Sequence, residues 1–338
     1  MANAILVKGL NKQRVRDELR ALRKATIFEL AQKTALSVVT VKTVLEEMIA
    51  QGEAFEGQSM PSNGGRPSMR YEYNPDFRYG IVIYGYQKDN GNLIRLLVIN
   101  LFGECVRRIE TSIENVQVSS FGRYIDAVRK DYPAIGAIVF GLPGVEENGI
   151  VTTNDYSSLV GDAFMDYYQK KYNVPVLFFN DVNAAVKGYY SRLAEKDLSC
   201  VVGIYFPRIY SPGAGMVIGG RIHTGAHHFA GEIGHLPAGV NWTTIDYTAP
   251  SVFCKAIGEL LNIYCRIVAP DEMVLYGDFL DESHIPVIKA HTETMLHHSF
   301  PVHVTSSRDF GADFEHGMII STLERINETL FSAKENLL

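Results

Sequence analysis

The chain has 338 residues, which is longer than one ordinary domain and predicts two or three domains, each with its own core. Hydrophobic residues make up 46% of the sequence and charged residues 21%, which is typical of a globular protein in water. The sequence holds no apolar run long enough to cross a bilayer, and its start has only a five-residue apolar stretch before charges begin. We therefore expect a cytoplasmic protein that does not contact membranes.

Charge is distributed unevenly along the chain. The net charge is −6, yet residues 1–75 carry 11 Lys or Arg against 8 Asp or Glu and are net +3. The rest of the chain, with 21 basic and 30 acidic residues, is net −9. A basic N-terminal part on an acidic body favours a DNA-binding module fused to a small-molecule domain, although a chance fluctuation of a few charges gives the same numbers.

The cysteines show no paired spacing. Cys105, Cys200, Cys254 and Cys265 form neither a CxxC nor a CxC motif. We expect reduced thiols in the protein core and assign them no chemistry.

Residues 26–52 have the spacing of a helix-turn-helix. Thr26 and Glu29 have the Thr-x-x-Glu form of a capping box, which predicts a short helix to about Thr34. Ser37 is a suitable cap for a further helix over Val38–Gln51, which ends before a glycine. On this last helix one face is apolar, with Val38, Val41, Val44, Leu45 and Met48.

The opposite side of that helix is predicted to contact DNA. Thr40, Lys42 and Thr43 point away from the apolar face near the N-terminal end, and Ser37 precedes them at the cap. This end of a recognition helix contacts base edges in the major groove. The expected DNA-binding residues are therefore Ser37, Thr40, Lys42 and Thr43.

A wing is predicted after the helices. Residues 53–56 and 69–73 can pair as two short strands around a turn rich in Gly, Pro and Ser. Arg66, between Gly65 and Pro67 at the tip, is suited to a narrow A·T-rich minor groove. The alternative is a flexible linker with one incidental arginine.

An α/β domain is predicted from Tyr79 onward. YGIVIYGY and LIRLLVINLFGE suit the two strands of a hairpin, and AIGAIVFGLPG and VPVLFFND suit short buried strands. A helical stretch of crossover length separates the latter two, and residues after Ala249 are mainly helical, around 251–267 and 311–330. Ligands in such sheets bind at the carboxyl ends of the strands.

Asn180 and Asp181 follow one of these strands directly. The amide and the carboxylate suit two adjacent hydroxyls of a polyol, and the carboxylate suits a general base if a phosphoryl donor lies opposite. The alternative is that the dipeptide only caps the next helix.

Glu232 and His235 form a second candidate pair within TGAHHFAGEIGH. If the segment is a helical turn, both side chains lie on one side and add two contacts to a sugar ring. The alternatives are a metal ligand at His235, or surface histidines at positions 223, 227, 228 and 235. The sequence lacks the companion spacing that a metal site needs, and we predict no metal.

Taken together, these motifs resemble the ROK family (repressor, open reading frame, kinase) over nearly the whole chain. The motifs are the winged helix, GGRP at 64–67, GLPG at 141–144, FFNDVNAA at 178–185 and GAHHFAGEIGH at 225–235, the last two being the most specific. The resemblance implies that Asn180, Asp181, Glu232 and His235 bind sugar, that Asp181 corresponds to the catalytic base of the kinases, and that Asn154 is a further ligand contact.

The departures from the family pattern argue against catalysis. Where the kinases carry an Asp-x-Gly-x-Thr phosphate loop, this chain has Val82-Ile-Tyr-Gly-Tyr86. The second glycine loop is expected at residues 208–215, where only its last part is preserved. Tyr210 and Pro212 crowd the approach of a phosphate. The zinc-binding Cys-x-Cys run of the family is absent after His235. We predict no catalytic residue, no cofactor and no kinase activity.

The predicted architecture is α/β. A winged helix-turn-helix (residues 1–75) precedes a two-lobed, ribonuclease H-like sugar-kinase fold of the actin and hexokinase type, with lobes at 76–185 and 186–338. The predicted function is a transcriptional regulator, in the first place a repressor of carbohydrate genes. It is expected to bind an operator in double-stranded DNA and a sugar effector, as a homodimer or a dimer of dimers. The alternatives are an active sugar kinase with an unusual nucleotide site and a regulator that ignores ligands.

Overall fold

The computed structural model of the protein describes residues 2–60, 68–88, 91–142, 144–147, 149–154, 157–193, 198–207, 210–296 and 302–332. The N-terminal region, here residues 2–60 and 68–75, contains helices and a small sheet. Its elements are α1 (Ala2–Leu22), β1 (Lys24–Thr26), α2 (Ile27–Thr34), α3 (Val38–Ala50), β2 (Ala54–Met60) and β3 (Ser68–Tyr73). β3 lies between β1 and β2 and pairs antiparallel with both.

The predicted helix starts are confirmed. The Thr26 hydroxyl accepts a hydrogen bond from the Glu29 N–H at 3.2 Å, and the Glu29 carboxylate accepts one from the Thr26 N–H at 2.7 Å. The Ser37 hydroxyl accepts from the Thr40 N–H at 3.1 Å and so caps α3. The structure differs from the prediction in two details. Strand β1 was not predicted, and Val38, which was expected on the apolar face, is 40% exposed.

The first lobe is a five-stranded sheet with helices and a hairpin. Its elements are β4 (Tyr79–Lys88), β5 (Gly91–Ile99), β6 (Cys105–Ser112), α4 (Gly122–Asp131), β7 (Ile135–Gly141), β8 (Gly144–Glu147), β9 (Ile150–Asn154), α5 (Phe164–Tyr172) and β10 (Val176–Phe179). The sheet order is β10-β7-β4-β5-β6, with β10, β7 and β4 parallel and the other pairs antiparallel. The β4–β5 hairpin was predicted, whereas the separate β8–β9 hairpin was missed.

Both faces of the first sheet are covered. On β4, Ile81 and Ile83 pack in the cluster that includes α4 and α5, while Val82 and Tyr84 pack in the cluster on the opposite face. Alternate side chains of a strand point to opposite faces, so a strand covered on both sides is apolar throughout. One cysteine departs from the expectation of core thiols, because Cys105 on β6 is exposed.

The second lobe repeats the order of the first. After α6 (Asp181–Arg192) come β11 (Cys200–Tyr205), β12 (Gly213–Ile218), β13 (Arg221–Ile222), α7 (Pro250–Ile267), β14 (Glu272–Tyr276), α8 (Ile285–Leu296), β15 (His303–Ser307) and α9 (Phe310–Ser332). The sheet order is β13-β12-β11-β14-β15, and its pairings match those of the first sheet when that sheet is read from its β6 edge. The duplicated order confirms an α/β, two-lobed fold. Helices α7 and α9 lie where the sequence predicts them, whereas strands β14 and β15 were not predicted.

Helix α6 lies between the two sheets and crosses α9. Ala184 and Ala185 pack with the first sheet, whereas Val182 and Val186 pack with the second. A Cβ added at Gly317 of α9 would overlap the backbone of Ala184. The two helix backbones are therefore in direct contact, as only small residues permit.

Helix α9 also contacts the N-terminal region. Ile326 belongs to the same buried cluster as Val15 and Leu19 of α1, and Arg20 donates a hydrogen bond to Asn327. α9 therefore touches α6 through its first half and α1 through its second half.

The predicted lobe boundaries differ from these contacts. The boundary between residues 185 and 186 lies inside α6. α9, which was assigned to the second lobe, packs against β4 and β7 of the first sheet through Phe314 and Met318. The physical reason is that the apolar face of α9 covers the first sheet. In the described part of the chain, no helix is both long enough and apolar enough to span a bilayer.

The α6–α9 crossing gives a stability prediction. Gly317→Ala should destabilise the protein by about 1–3 kcal/mol or more, because the added methyl group forces the two helices apart. Gly311→Ala, on the same helix with nothing within 4 Å of the added Cβ, is the matched control and should change stability by less than about 1 kcal/mol. Thermal melting of the purified variants measures both. Equal melting temperatures for the two variants would contradict the close crossing.

Candidate functional site

Two of the residues predicted to bind sugar, Asn180 and Asp181, directly follow a strand of the first sheet. β4, β7 and β10 are parallel, so their carboxyl ends lie at one edge, and Asn180 follows β10 at that edge. Its side-chain oxygen accepts hydrogen bonds from the N–H groups of Val182 at 3.0 Å and Asn183 at 3.1 Å. Asn180 is thus the N-cap of α6, as the alternative reading of this dipeptide predicted.

The remaining polar group of Asn180 holds the β8–β9 hairpin. Its side-chain amide donates to the carbonyl oxygen of Gly144 at 3.2 Å, and Gly144 is the strand partner of Asn154. Gly144 therefore connects the two asparagines, because it accepts a hydrogen bond from Asn180 and pairs with Asn154 across the hairpin. These two positions, which are 26 residues apart in sequence, come together at the base of one hairpin.

Asp181 lies at the first position of α6 and faces the second lobe. One carboxylate oxygen accepts from the Val182 N–H at 2.9 Å. Burial raises the pKa of Tyr205 to about 12, and the negative charges of Asp181 and Asp278 add to this rise. Tyr205 is the last residue of β11. The carboxylate therefore lies where the carboxyl ends of the two sheets approach each other, next to two residues that sequence reasoning did not select.

Glu232 and His235 do not lie in one helical turn, so that expectation was wrong. Gly231 has φ +99°, its carbonyl oxygen accepts from the Ala214 N–H at 2.9 Å, and Glu232 forms an isolated antiparallel bridge with Gly213. The segment is extended at Glu232 because it pairs with the start of β12. His235 lies in the following turn, so the two side chains do not share a helix face.

The bridge still places Glu232 close to α6. A Cβ at Gly213 would lie 3.3 Å from the Val182 side chain, at the first turn of α6. The structure thus brings Asn154, Asn180 and Asp181 to one edge and the backbone of Glu232 to the facing edge. Both Glu232 and His235 are exposed.

Two histidines of the same segment connect the lobes. His227 Nδ1 lies 2.6 Å from Glu147 Oε1, and His228 Nδ1 lies 2.9 Å from the carbonyl oxygen of Glu146, both on the β8–β9 hairpin. Both histidines have left-handed backbone, with φ of 60° and 55°. These contacts were not predicted, because nothing in the local pattern links the hairpin to the histidines. Among the described residues no three His, Cys, Asp or Glu side chains are arranged to hold a metal ion.

Tyr84 fills the position where a phosphate loop was expected. Its side chain is 1% exposed, its ring meets the ring of Phe314 edge-on at 5.1 Å, and its hydroxyl donates to Glu315. Arg95 donates to the same hydroxyl at 3.1 Å. Burial raises the pKa of Tyr84 far above its usual range, so the phenol stays neutral. An aromatic ring and α9 thus fill the space beside β4 at the point where it pairs with the last residue of β7, Gly141.

The residues predicted to contact DNA lie on the surface of α3. Lys42 and Thr43 are exposed, and Thr40 is half-buried. The hydroxyls of Ser37 and Thr40 are hydrogen-bonded to each other at 2.8 Å. Arg66 and the wing tip lie outside the described residues, although β2 and β3 on either side pair as predicted.

Comparison with known proteins gives a family and a fold. The model of the ROK family matches residues 91–254. The xylose repressor of Caldicellulosiruptor bescii is 27% identical over 277 residues, which cover 78% of this chain and 65% of that protein. The chain thus spans about two thirds of the length of that relative. N-acetyl-D-glucosamine kinase of Aliivibrio fischeri is 24% identical over 204 residues, covering 57% of this chain and 66% of the kinase.

A solved structure matches almost the whole fold. It is described as a ROK family transcriptional regulator, a homologue of the E. coli MLC protein. It superposes with a TM-score of 0.71 at 17% identity and covers 97% of this chain and 99% of that one. Residues 91–254 thus match the ROK family, and the chain is similar over most of its length to a xylose repressor.

Proposed function

We propose that this protein is a DNA-binding transcriptional regulator, a repressor whose DNA affinity changes when a sugar binds between its lobes. The observation that carries the proposal is the capped helix pair α2–α3, with the polar side of α3 on the surface, joined to a ROK domain. A relative of this chain is named a xylose repressor, which supports the same function.

For DNA binding, the N-terminal region acts as a winged helix-turn-helix. α3 is the recognition helix, with Ser37, Thr40, Lys42 and Thr43 at the end that enters the major groove. The β2–β3 pair forms the wing, and Arg66 at its tip is assigned to the minor groove. The +3 net charge of residues 1–75 favours approach to the phosphate backbone.

For sugar binding, the proposed site lies between the facing edges of the two sheets. Asp181 contributes a carboxylate for sugar hydroxyls, and Asn154, Glu232 and His235 are assigned further contacts. Asn180 positions the site, because its amide holds both the hairpin and the start of α6. Polar side chains at a strand edge between lobes are the usual lining of such sites.

Binding at this site reaches DNA through packed helices. α6 starts at Asp181 and crosses α9, which contacts α1 at Ile326 and Asn327. A sugar changes DNA affinity only if it binds two arrangements of the lobes unequally, and such couplings amount to about 1–3 kcal/mol. We further propose a cytoplasmic homodimer or dimer of dimers, since operators with two half-sites match two-fold protein symmetry.

The second candidate function is a sugar kinase. It is favoured by the 24% sequence identity to an N-acetyl-D-glucosamine kinase and by the position of Asp181, which suits a general base. Against it stands Tyr84, which occupies a position of the expected phosphate loop, packs its ring on Phe314 and donates its hydroxyl to Glu315 of α9. We therefore propose that the domain binds sugar without transferring phosphate. A third candidate, a regulator that ignores ligands, follows if Asn180 and Asp181 serve only to start α6.

Thermal melting with ligands separates these three functions. A ligand that binds only the folded protein raises the melting temperature. At a ligand concentration one hundred times its Kd, it adds about 2.7 kcal/mol to the free energy of unfolding. We expect a rise with one sugar from a panel that includes xylose, N-acetylglucosamine and their phosphates, and none with ATP and magnesium. A rise with ATP would support the kinase, and no rise across the panel would support the ligand-insensitive regulator.

Asp181 should be required for that sugar. Asp181→Asn keeps an acceptor for the Val182 N–H but loses the charge, so sugar affinity should fall by at least about tenfold, as for the loss of a charged hydrogen bond. Isothermal calorimetry measures this, with Asp181→Ala expected to abolish the heat. Asp166→Ala on α5 is the control and should bind normally. Unchanged binding by Asp181→Asn and Asp181→Ala would disprove the assignment of the site.

Lys42 should be required for DNA. Lys42→Ala should weaken binding to a selected operator duplex by about tenfold, because a cation that contacts phosphate or base is lost. Lys255→Ala is matched closely: Lys42 is 63% exposed and 3.8 Å from Glu46, and Lys255 is 66% exposed and 4.0 Å from Glu259. Fluorescence anisotropy with labelled duplex measures the affinities. If both variants bind like the parent protein, α3 is not the recognition helix.

A further inference from the structure

The outward face of α3 carries an exposed apolar side chain, Val39, beside the polar residues that were predicted there. Val39, Lys42, Thr43 and Glu46 follow the i, i+3, i+4, i+7 spacing of one helix face, and all four are exposed. Val39 is 74% exposed, the second-highest exposed fraction of the large hydrophobic side chains described in this chain. It lies at the second position of α3, the end proposed to enter the major groove.

The neighbouring hydroxyls are already engaged in local hydrogen bonds. The Thr43 hydroxyl donates to the Val39 carbonyl oxygen at 3.1 Å. The Thr40 and Ser37 hydroxyls bond each other at 2.8 Å, and the Ser37 hydroxyl also accepts from the Thr40 N–H. The polar hydrogens that base edges would accept are therefore largely used within the helix. This end of α3 presents outward the isopropyl group of Val39, the partly exposed Val38 and one cation, Lys42.

We propose that Val39 determines operator specificity by packing against the C5-methyl group of thymine in the major groove. This inference rests on the proposed DNA-binding function. Thymine is the base that presents an apolar group in that groove, and short apolar side chains contact it there. The adjacent Lys42 and the N-terminus of α3, with its positive dipole end, favour a polyanion over an apolar protein surface as the occupant of this face.

Glu46 fits the same arrangement. It is seven residues after Val39, about 10 Å further along the helix axis, and it lies 3.8 Å from Lys42. The recognition helix of a helix-turn-helix contacts base edges with its N-terminal residues. Val39 is thus at the end of the face where bases are reached, and the acidic side chain is at the other end.

The first step of the test obtains an operator. The full-length protein is used to select binding sequences from a library of random DNA duplexes. We expect an enriched half-site that contains thymine. If no sequence is enriched, the proposed DNA-binding function fails and the inference fails with it. If a half-site without thymine is enriched, the DNA-binding function stands and the inference is overturned.

The second step removes single methyl groups. Each thymine of the selected duplex is replaced in turn by deoxyuridine, which differs only by the C5-methyl group. At one or two positions the parent protein should bind the substituted duplex roughly fourfold more weakly, as expected for the loss of one buried methyl group. Val39→Ala should bind the thymine and deoxyuridine duplexes equally at those positions. Discrimination retained by Val39→Ala at every position would overturn the inference.

The chain provides its own control for this variant. Val252, Lys255 and Glu259 of α7 repeat the spacing of Val39, Lys42 and Glu46, and Val252 is 46% exposed. Val252→Ala should keep both the affinity and the discrimination of the parent protein. Sedimentation of Val39→Ala should give an unchanged mass. If the mass of Val39→Ala changes and the variant still discriminates between thymine and deoxyuridine like the parent protein, Val39 is assigned to a contact between protein copies instead of DNA.

Discussion

The direct contact between the backbones of α6 and α9 is the constraint on which the rest of the molecule depends. Gly317 allows it, since any side chain there would overlap Ala184. At the same crossing Arg192 forms an ion pair with Asp313, whose other oxygen accepts from the Tyr276 hydroxyl at 2.9 Å. Because α6 lies between the two sheets, this crossing sets how the lobes face each other and where Asp181 points.

The same crossing joins the two proposed activities. The first turn of α6 carries the candidate sugar site, and the last turns of α9 share a core with α1. The hairpin β8–β9 adds a second connection between the lobes, through Asn180 at its base and His227 and His228 at its other end. A rearrangement of the lobes must therefore alter the surroundings of Asp181 and the support of the N-terminal region together.

Local signals in the sequence predicted the parts whose cause is local. The capping box at Thr26 and the cap at Ser37 depend on residues three apart, and both were predictable from sequence. The role of Asn180 as a helix cap was foreseen for the same reason. Continuous apolar runs located β4 and β7, which are covered on both faces. The sugar-binding roles of Asn180, Asp181, Glu232 and His235 came from their chemistry together with the ROK resemblance, that of Asn154 from the resemblance alone, and all stay predictions.

Features set by contacts between distant segments were not predictable. Glu232 is extended because it pairs with Gly213 and not because of its own sequence. β14 and β15 are short strands among helices. β14 pairs with β11, which lies some 70 residues earlier in the chain, and β15 pairs with β14. The sequence showed that Tyr84 replaces a phosphate-loop residue, but the filling of the space by its ring requires Phe314 and Glu315 of α9. Val38 was assigned to the core from helix periodicity alone, which does not reveal that its end of α3 extends past the core.

The most direct test of the account is the affinity of the protein for its selected operator duplex, measured with and without a saturating concentration of the sugar that raises its melting temperature. The account predicts a change of about 5- to 150-fold, which corresponds to a coupling free energy of about 1–3 kcal/mol. The affinity of the sugar should change by the same factor when DNA is bound, because linkage is reciprocal. Equal DNA affinities with and without bound sugar would contradict the claim that the lobes and the N-terminal region act as one switch.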